Sequence, residues 1–169
     1  MSGLNTTFTT PDATDAVELH ALVKNSPPLD PNSLYCNLLQ CSHFADTAIA
    51  ARQDGRLIGF ISGYRIPERP NTLFVWQVVV AAEARGQGLA HRMLCQLLAK
   101  PACRDVSFLE TTITPDNDAS WALFKRLQRT LECDGKESVQ FDQQRHFQDQ
   151  HQTEMQFRIG PFTQQKVIS

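Results

Sequence analysis

The sequence predicts an α/β protein of the α+β type, in which a mixed central β-sheet is flanked by helices. Asp54-Gly55 is a strong two-residue hairpin turn between segments of strand character. An apolar run at 73–80 leads into a glycine-rich turn and then an amphipathic helical pattern over 86–99. A further strand at 106–113 precedes another helical pattern. Strands that first pair as hairpins and later alternate with helices indicate a mixed sheet.

The first third of the chain is predicted to contain one strand and two helices. Residues 6–9 have strand character, and either Thr10-Pro11 or Asp12 can begin a helix. The apolar residues at helical spacing in that helix are Ala16, Leu19 and Val23. The Pro27-Pro28 loop ends it, and a short second helix is predicted over 33–44.

The middle of the chain is predicted to be mainly strand. Residues 46–53 and 56–64 form the two arms of the predicted hairpin, and 66–71 is a predicted loop. The segment 73–80 is apolar and rich in β-branched residues except at Gln77. That composition predicts a strand buried on both faces.

The remaining elements complete one predicted domain covering residues 1–169. Asn117 can cap a helix, and 139–141 and 153–159 are predicted strands. A length of 169 residues suits a single domain. We expect its core over about residues 6–160 and a tail over 161–169.

The composition favours a globular protein that acts on a small molecule. Hydrophobic residues make up 41% and charged residues 20%, which is typical of a soluble fold. The 16 basic and 18 acidic residues give a net charge of −2. That balance provides no electrostatic basis for binding nucleic acid or an anionic membrane surface.

Cysteine usage and the N-terminal sequence predict a cytoplasmic protein. No secretory signal or membrane-spanning segment is recognisable. The cysteines are odd in number and form no Cys-x-x-Cys pair, which argues against a zinc site and for free thiols; they are Cys36, Cys41, Cys95, Cys103 and Cys133. No metal is therefore expected.

The most informative segment is the glycine-rich turn at 85–90. A turn of this kind after a strand directs backbone N–H groups and a helix N-terminus at an anion, usually a phosphate. Two common nucleotide motifs do not fit, since Gly-x-Gly-x-x-Gly lacks its third glycine and no lysine follows for a P-loop. An ordinary glycine turn that caps a helix is the alternative.

The pattern Arg85-x-x-Gly88-x-Ala90 resembles the Arg/Gln-x-x-Gly-x-Gly/Ala signature of the GNAT acetyltransferases. The order of elements over 6–160 resembles the same fold, which implies that acetyl-CoA binds where the strands splay apart. The preceding strand would present backbone N–H groups to the thioester and pantetheine, in the manner of an oxyanion hole. The cofactor-binding residues that the resemblance implies are Val78, Val79, Val80, Arg85, Gly86, Gln87, Gly88, Leu89, Ala90 and Asn117.

A second motif begins at Asn117 and departs from the family at its end. Asn117-x-x-Ser120-x-x-Leu123-Phe124 resembles the Asn-x-x-Ala/Ser-x-x-Leu-Tyr helix. The resemblance gives Asn117 a hydrogen bond to pantetheine, and an N-cap role is compatible with it. Phe124 replaces the tyrosine that protonates the departing thiolate in many relatives. Water, Tyr35 or Tyr64 remain as alternatives for that acid.

Four further segments resemble the L-2,4-diaminobutyrate acetyltransferases of ectoine biosynthesis. They lie at 29–35, 74–78, 110–117 and 151–154, and the segment 110–117 is the most specific of them. The resemblance implies transfer of an acetyl group to the γ-amine of L-2,4-diaminobutyrate, by direct attack of the amine within a ternary complex. Enzymes of this kind commonly form homodimers, so a homodimer is expected.

The acceptor carries two ammonium groups and one carboxylate, which predicts a pocket with acids and an aromatic face. The predicted substrate-binding residues are Asp30, Tyr35, Trp76, Glu110, His151 and Glu154. Glu110 and Glu154, with His151 as a further candidate, are the candidate bases that would deprotonate the amine, and Tyr35 is a candidate acid. The carboxylate ligand stays open among Arg65, Arg69 and Arg158.

Two alternatives compete with this prediction. One is a GNAT enzyme that acetylates another amine, such as a polyamine or an aminoglycoside, because an acid and an aromatic ring suit many cations. The other is a non-catalytic module that binds acyl-CoA, which Phe124 favours. Turnover with a panel of amines separates the three.

Overall fold

The structure is a computed structural model that describes residues 5–168. The chain forms two compact units: one comprises the residues up to Tyr64 together with Val75–Arg104, and the other comprises Arg65–Phe74 together with the residues from Asp105 onward. Residues 1–4 and 169, which end the predicted domain and tail, lie outside the described residues. A single domain stays a prediction.

The first unit contains a sheet in the order β1-β2-β3-β4 with three helices. Strand β4 runs from one unit into the other. The bounds of the elements are β1 Thr6–Thr9, α1 Ala16–Lys24, α2 Leu34–Cys41, β2 Ile49–Gln53, β3 Arg56–Ile66, β4 Arg69–Val80 and α3 Leu89–Leu98. Strand β2 pairs antiparallel with β1 on one side and with β3 on the other.

Local sequence explains the start of α1 and the position of α3. The Asp12 carboxylate accepts a hydrogen bond from the backbone N–H of Thr14 at 2.7 Å, and the Asp15 carboxylate accepts one from the backbone N–H of Asp12, which completes a capping box one short turn before α1. On β3, a Cβ added at Gly59 would lie 2.9 Å from Met93 of α3. Glycine therefore permits the close approach that sets the helix against the sheet.

The second unit contains the strand order β4-β5-β7-β6, with β5 and β6 both antiparallel to β7. The bounds of its elements are β5 Phe108–Ile113, α4 Asp118–Leu131, β6 Gly135–Phe141, β7 Glu154–Ile159 and α5 Gln164–Ile168. Buried residues Leu109, Leu127 and Phe157 belong to its core. The predicted combination of sheet and flanking helices is confirmed.

The prediction that residues 73–80 are buried on both faces is wrong. Leu73, Val75 and Val79 are buried, whereas Trp76 is 41% exposed and its neighbours on that face are half-buried. Alternation of this kind is typical of a strand with one core face and one accessible face. Because the residues on the accessible face are also apolar, the sequence does not show the alternation between the two faces.

Two other segments differ from the predictions. The predicted loop 66–71 is reduced to Pro67-Glu68, because β4 begins at Arg69 and the Asn71 carbonyl accepts a hydrogen bond from the Ser107 N–H at 2.9 Å. The predicted tail contains α5 and a buried Phe162, whose N–H bonds to the Ser107 carbonyl at 2.9 Å. Pairing with distant backbone extends order into both segments.

Within residues 5–168, no helix has both the length and the apolar composition that a bilayer span requires.

Candidate active site

The glycine turn of the first unit has the backbone that an anion site requires. Gly86 and Gly88 have φ values of +75° and +71°, in the left-handed region where a side chain is strained. Gly88 is the N-cap of α3, and the first bond from the helix to it joins the Arg92 N–H to the Gly88 carbonyl at 3.1 Å. The helix therefore begins at a left-handed glycine in an exposed turn, which is the arrangement in which first-turn N–H groups bind anions.

The residues that lead into the turn also have defined positions. Val79 is buried, and the side chains of Val78 and Val80 are half-buried on the opposite face of β4. The Arg85 Nε donates to the Val80 carbonyl at 3.1 Å, which bends the exposed arginine back over the end of the strand. Gln87 is exposed, and its amide donates to the Glu83 carbonyl at 3.3 Å. The turn thus presents backbone to solvent.

Trp76 belongs to an aromatic cluster in the first unit. Its ring centroid lies 6.1 Å from that of Tyr64 and 6.5 Å from that of Phe44, both in edge-on contacts, and Phe44 and Tyr64 lie 6.0 Å apart. We call Phe44, Tyr64 and Trp76 the aromatic triad. The half-exposed Trp76 face is available to a cation. The place of Phe44 in this cluster was not predicted, because its neighbours in the sequence form no motif that indicates a site.

The segment around Asp30 is attached to the strand that carries Trp76. The Gln77 side chain donates to the Asp30 carbonyl at 3.1 Å and accepts from the Asn32 amide at 3.1 Å. Gln77 interrupts the apolar run of β4 for this reason. Tyr35 lies in the first turn of α2 and is 70% exposed, so its hydroxyl is accessible.

Glu110 is the centre of a charged cluster in the second unit. Its side chain is only 1% exposed, and its carboxylate accepts hydrogen bonds from Arg69, Arg158 and Gln156. Above all, the hydrogen bond to Glu110 raises the pKa of the Arg69 guanidinium. We call Arg69, Glu110 and Arg158 the arginine clamp. The partners were named in the sequence analysis, but their meeting on one carboxylate was not predicted.

His151 and Glu154 form a pair at the start of β7. The His151 Nδ1 lies 2.6 Å from the Gln152 carbonyl, so Nδ1 carries the proton of the neutral ring. The Nε2 lies 3.8 Å from a Glu154 carboxylate oxygen. Both side chains are partly exposed. The pair thus offers a nitrogen that accepts a proton beside a carboxylate that stabilises the resulting charge.

The motif helix α4 has a structural role at both marked positions. The Asn117 side chain accepts a hydrogen bond from the Ser120 N–H at 3.2 Å, so it caps α4 as one of its two predicted roles. Phe124 is 2% exposed and belongs to the core. The Trp121 indole donates to the Thr114 carbonyl at 3.1 Å and ties α4 to the end of β5.

No group of three or more His, Cys, Asp or Glu side chains that could hold a metal ion occurs among residues 5–168.

Comparison with known proteins identifies the class that the turn, the strand and the fold define. A sequence model of the acetyltransferase (GNAT) family matches residues 14–128, which is more than half of the chain. The chain therefore belongs to the GNAT family and is an N-acetyltransferase. Acetyl-CoA is the acetyl donor of this family, and the left-handed glycines with the open helix terminus fit it.

The most informative relatives agree over nearly the whole chain. The L-2,4-diaminobutyric acid acetyltransferase of Methylotuvimicrobium alcaliphilum is 56% identical over 92% of this chain and 91% of its own, and that of Vibrio cholerae is 47% identical over 90% and 88%. The structure of diaminobutyrate acetyltransferase EctA from Paenibacillus lautus, in complex with its substrate L-2,4-diaminobutyric acid and coenzyme A, matches with a TM-score of 0.90. That match has 38% identity and covers 95% of this chain and 97% of the other. The chain is thus a member of the diaminobutyrate acetyltransferase group within the GNAT family.

Proposed function

We propose that this enzyme transfers the acetyl group of acetyl-CoA to the γ-amino group of L-2,4-diaminobutyrate, as a step of ectoine biosynthesis under osmotic stress. The observation that carries the proposal is the 56% identity to a diaminobutyrate acetyltransferase over 92% of the chain. The product is N-γ-acetyl-diaminobutyrate and free coenzyme A.

Residues of the first unit hold the acetyl donor. Backbone N–H groups from Gly86 to Ala90 would bind the pyrophosphate, and those of Val78–Val80 would bind the pantetheine arm and the thioester carbonyl. The turn supports this role because both of its glycines adopt conformations that direct backbone at a ligand. The sequence motif predicts that the side-chain amide of Asn117 donates to pantetheine, and this is compatible with its oxygen capping α4.

Residues of the first unit also suit an ammonium group of the acceptor. Trp76 offers the half-exposed face of its ring, the aromatic triad holds that ring in place, and the Asp30 segment is attached to the next residue of β4. A cation over an aromatic face gains about 0.5–2 kcal/mol. Tyr35, with its accessible hydroxyl, is the proposed hydrogen-bond donor to the acceptor or to the departing thiolate.

The amine must lose a proton before it attacks, and we assign this step to the His151–Glu154 pair. An alkylammonium with a pKa near 10 is almost fully protonated at pH 7. The His151 Nε2 lies 3.8 Å from a Glu154 carboxylate oxygen, which would stabilise the ring once it has accepted the proton. Glu110, by contrast, is buried, and its carboxylate accepts hydrogen bonds from three side chains.

Acceptor turnover tests the proposal directly. The purified enzyme is incubated with acetyl-CoA and either L-2,4-diaminobutyrate, ornithine, lysine or spermidine, and free thiol release is followed. We expect saturation by diaminobutyrate at concentrations far below those needed for the others, and NMR of the product should show the γ-nitrogen acetylated. Preferred use of a polyamine or an aminoglycoside, or an acetylated α-nitrogen, contradicts the proposal.

We further propose a cytoplasmic homodimer. The five cysteines form no disulfide with one another, as is usual in a reducing compartment. Strand β6 lies at the end of the strand order of its unit and exposes Val139 at 57% and Phe141 at 42%. An edge strand with exposed apolar residues favours pairing with a second copy. Light scattering after size-exclusion chromatography should give twice the chain mass, and a Val139→Lys variant should give the chain mass.

A further inference from the structure

The arginine clamp contains one more positive charge than negative charge. The buried Glu110 carboxylate meets two guanidinium groups, and Glu68 also attracts Arg69, so the positive charge that the clamp leaves unbalanced lies at Arg158. The side chains of Arg69 and Arg158 are 44% and 26% exposed, so a ligand can reach them. An anion with a single negative charge would balance the cluster.

Arg69 and Arg158 differ in which of their N–H groups donate to Glu110. Arg69 directs both terminal nitrogens at the carboxylate, with Nη1 on Oε2 and Nη2 on Oε1. In its hydrogen bonds to the described residues 5–168, Arg158 instead uses Nη1, which donates to Glu110 Oε2 and to Thr72 Oγ1 at 3.4 Å. A guanidinium has five N–H donors. The edge of Arg158 formed by Nε and Nη2 therefore remains for a second carboxylate.

The plane of that edge is fixed before a ligand binds. The Arg158 guanidinium carbon lies 3.8 Å from the centroid of the Phe108 ring, which covers one face of the group. Glu110 and Arg158 are paired across β5 and β7, so the two side chains project from the same side of the sheet. A guanidinium held by an ion pair and a stacked ring loses little conformational freedom when it binds a carboxylate in two-point fashion.

We propose that the Nε–Nη2 edge of Arg158 binds the α-carboxylate of the amino-acid acceptor, and that Glu110 with Arg69 positions it. This inference rests on the proposed function and goes beyond it, since it makes the α-carboxylate the feature that the enzyme requires. With the carboxylate anchored, the amine at the far end of the acceptor is the one presented for acetylation. Arg65 is not part of this site, because it pairs with Asp105 instead.

Acceptors that differ only at the carboxylate test the assignment. L-2,4-Diaminobutyramide replaces the carboxylate by a neutral amide, and 1,3-diaminopropane lacks it entirely. We expect kcat/KM of the unmodified enzyme to be about 10- to 100-fold higher for diaminobutyrate than for the amide, as the loss of a charge-assisted bond predicts. Equal use of the two compounds overturns the assignment, whatever the variants do.

The matched variants are Arg158→Gln, Arg158→Lys and Arg65→Gln. Arg158→Gln should lower kcat/KM for diaminobutyrate by about 10- to 100-fold and leave kcat/KM for the amide and the diamine within about 3-fold, because neither offers the guanidinium a carboxylate. Arg158→Lys, which keeps the charge but not the fork, should be intermediate. Arg65→Gln should behave as the unmodified enzyme.

The outcomes separate this inference from the proposed function. If the unmodified enzyme acetylates diaminobutyrate but Arg158→Gln loses activity equally with all three acceptors, the role of Arg158 is structural and the inference fails alone. If the unmodified enzyme does not acetylate diaminobutyrate, the proposed function fails with it. Thermal melting and the KM for acetyl-CoA identify a variant that does not fold. If Arg158→Gln does not fold, the ratio of kcat/KM for diaminobutyrate and for the amide with the unmodified enzyme decides the assignment.

Discussion

Replacement of Glu110 by glutamine should weaken the fold and acceptor binding without removing the base. The Glu110 side chain is 1% exposed and accepts bonds from two arginines and Gln156. Glutamine has nearly the same shape, but it loses the charge and turns an NH2 group toward N–H donors. Glu110→Gln thus isolates the electrostatic role of this residue in the arginine clamp.

The size of the effect follows from burial of the three partners. Removing one member of a fully buried ion pair costs about 3–5 kcal/mol. The two arginine side chains are 44% and 26% exposed and can be hydrated when the carboxylate is lost, so we expect about 2 kcal/mol. For a chain of this size, about 1 kcal/mol shifts Tm by roughly 2–4 °C, which predicts a Tm lower by about 4–8 °C.

Glu137→Gln is the matched control. Glu137 also lies in a strand of the second unit, and it pairs with Lys125 at 3.5 Å with both side chains 49% exposed. An exposed pair of this kind contributes about 0.5 kcal/mol, so the control should melt within about 2 °C of the unmodified enzyme. The two variants should therefore differ clearly in Tm and in their urea midpoints.

Kinetics then distinguish a positioning group from a base. Glu110→Gln should raise KM for diaminobutyrate and keep the ascending limb of log(kcat/KM) against pH, whereas Glu154→Gln or His151→Gln should flatten or displace that limb. A Glu110→Gln enzyme that melts with the unmodified enzyme, or that alone loses the ascending limb, would refute the reasoning.

Three further predictions follow from the first unit. Gly86→Ala should raise KM for acetyl-CoA and cost about 1–2 kcal/mol of stability because its φ is +75°, whereas Gly55→Ala, with a φ of +78° and equally open space, should cost the same stability and leave that KM unchanged. Trp76→Ala should raise KM for diaminobutyrate more than Trp76→Phe does, and equal values would exclude a cation–π contact. Burial raises the pKa of the Cys41 thiol to about 12, so at pH 8 a disulfide reagent should modify the half-exposed thiols while Cys41 reacts only after urea is added.

The fold could be predicted from the sequence wherever local chemistry determines the backbone. Asp54 and Gly55 have φ values of +50° and +78°, as the predicted hairpin turn requires, and Gly86 and Gly88 are also left-handed. Prediction failed where distant partners decide. The early start of β4 at Arg69 is supported by the hydrogen bond from the Ser107 N–H to the Asn71 carbonyl. The residues around Asn71 contain no pattern that predicts this contact.

The candidate site divides along the same line. The turn at 85–90 lies within six consecutive residues, so its spacing, together with the strand before it and the helix after it, is enough to predict a site for a phosphate-bearing ligand. The arginine clamp joins residues 41 and 48 positions apart, and only the folded chain can select Arg69 and Arg158 over Arg65. From the sequence, all three arginines are equivalent candidates for this reason.

The two candidate carboxylates illustrate why residue type does not determine role. Both Glu110 and Glu154 fit the motif-based prediction of a general base, yet a base must have a lone pair that a substrate proton can reach. Glu110 is 1% exposed and directs its oxygens at three side-chain donors, whereas Glu154 is 21% exposed and lies beside a histidine nitrogen that can accept a proton. Because its neighbours are cations and an amide, Glu110 serves to hold the guanidinium that we assign to the acceptor carboxylate. We therefore propose that the histidine, and not Glu110, takes the proton of the amine, and the pH profiles of the separate variants distinguish these two roles.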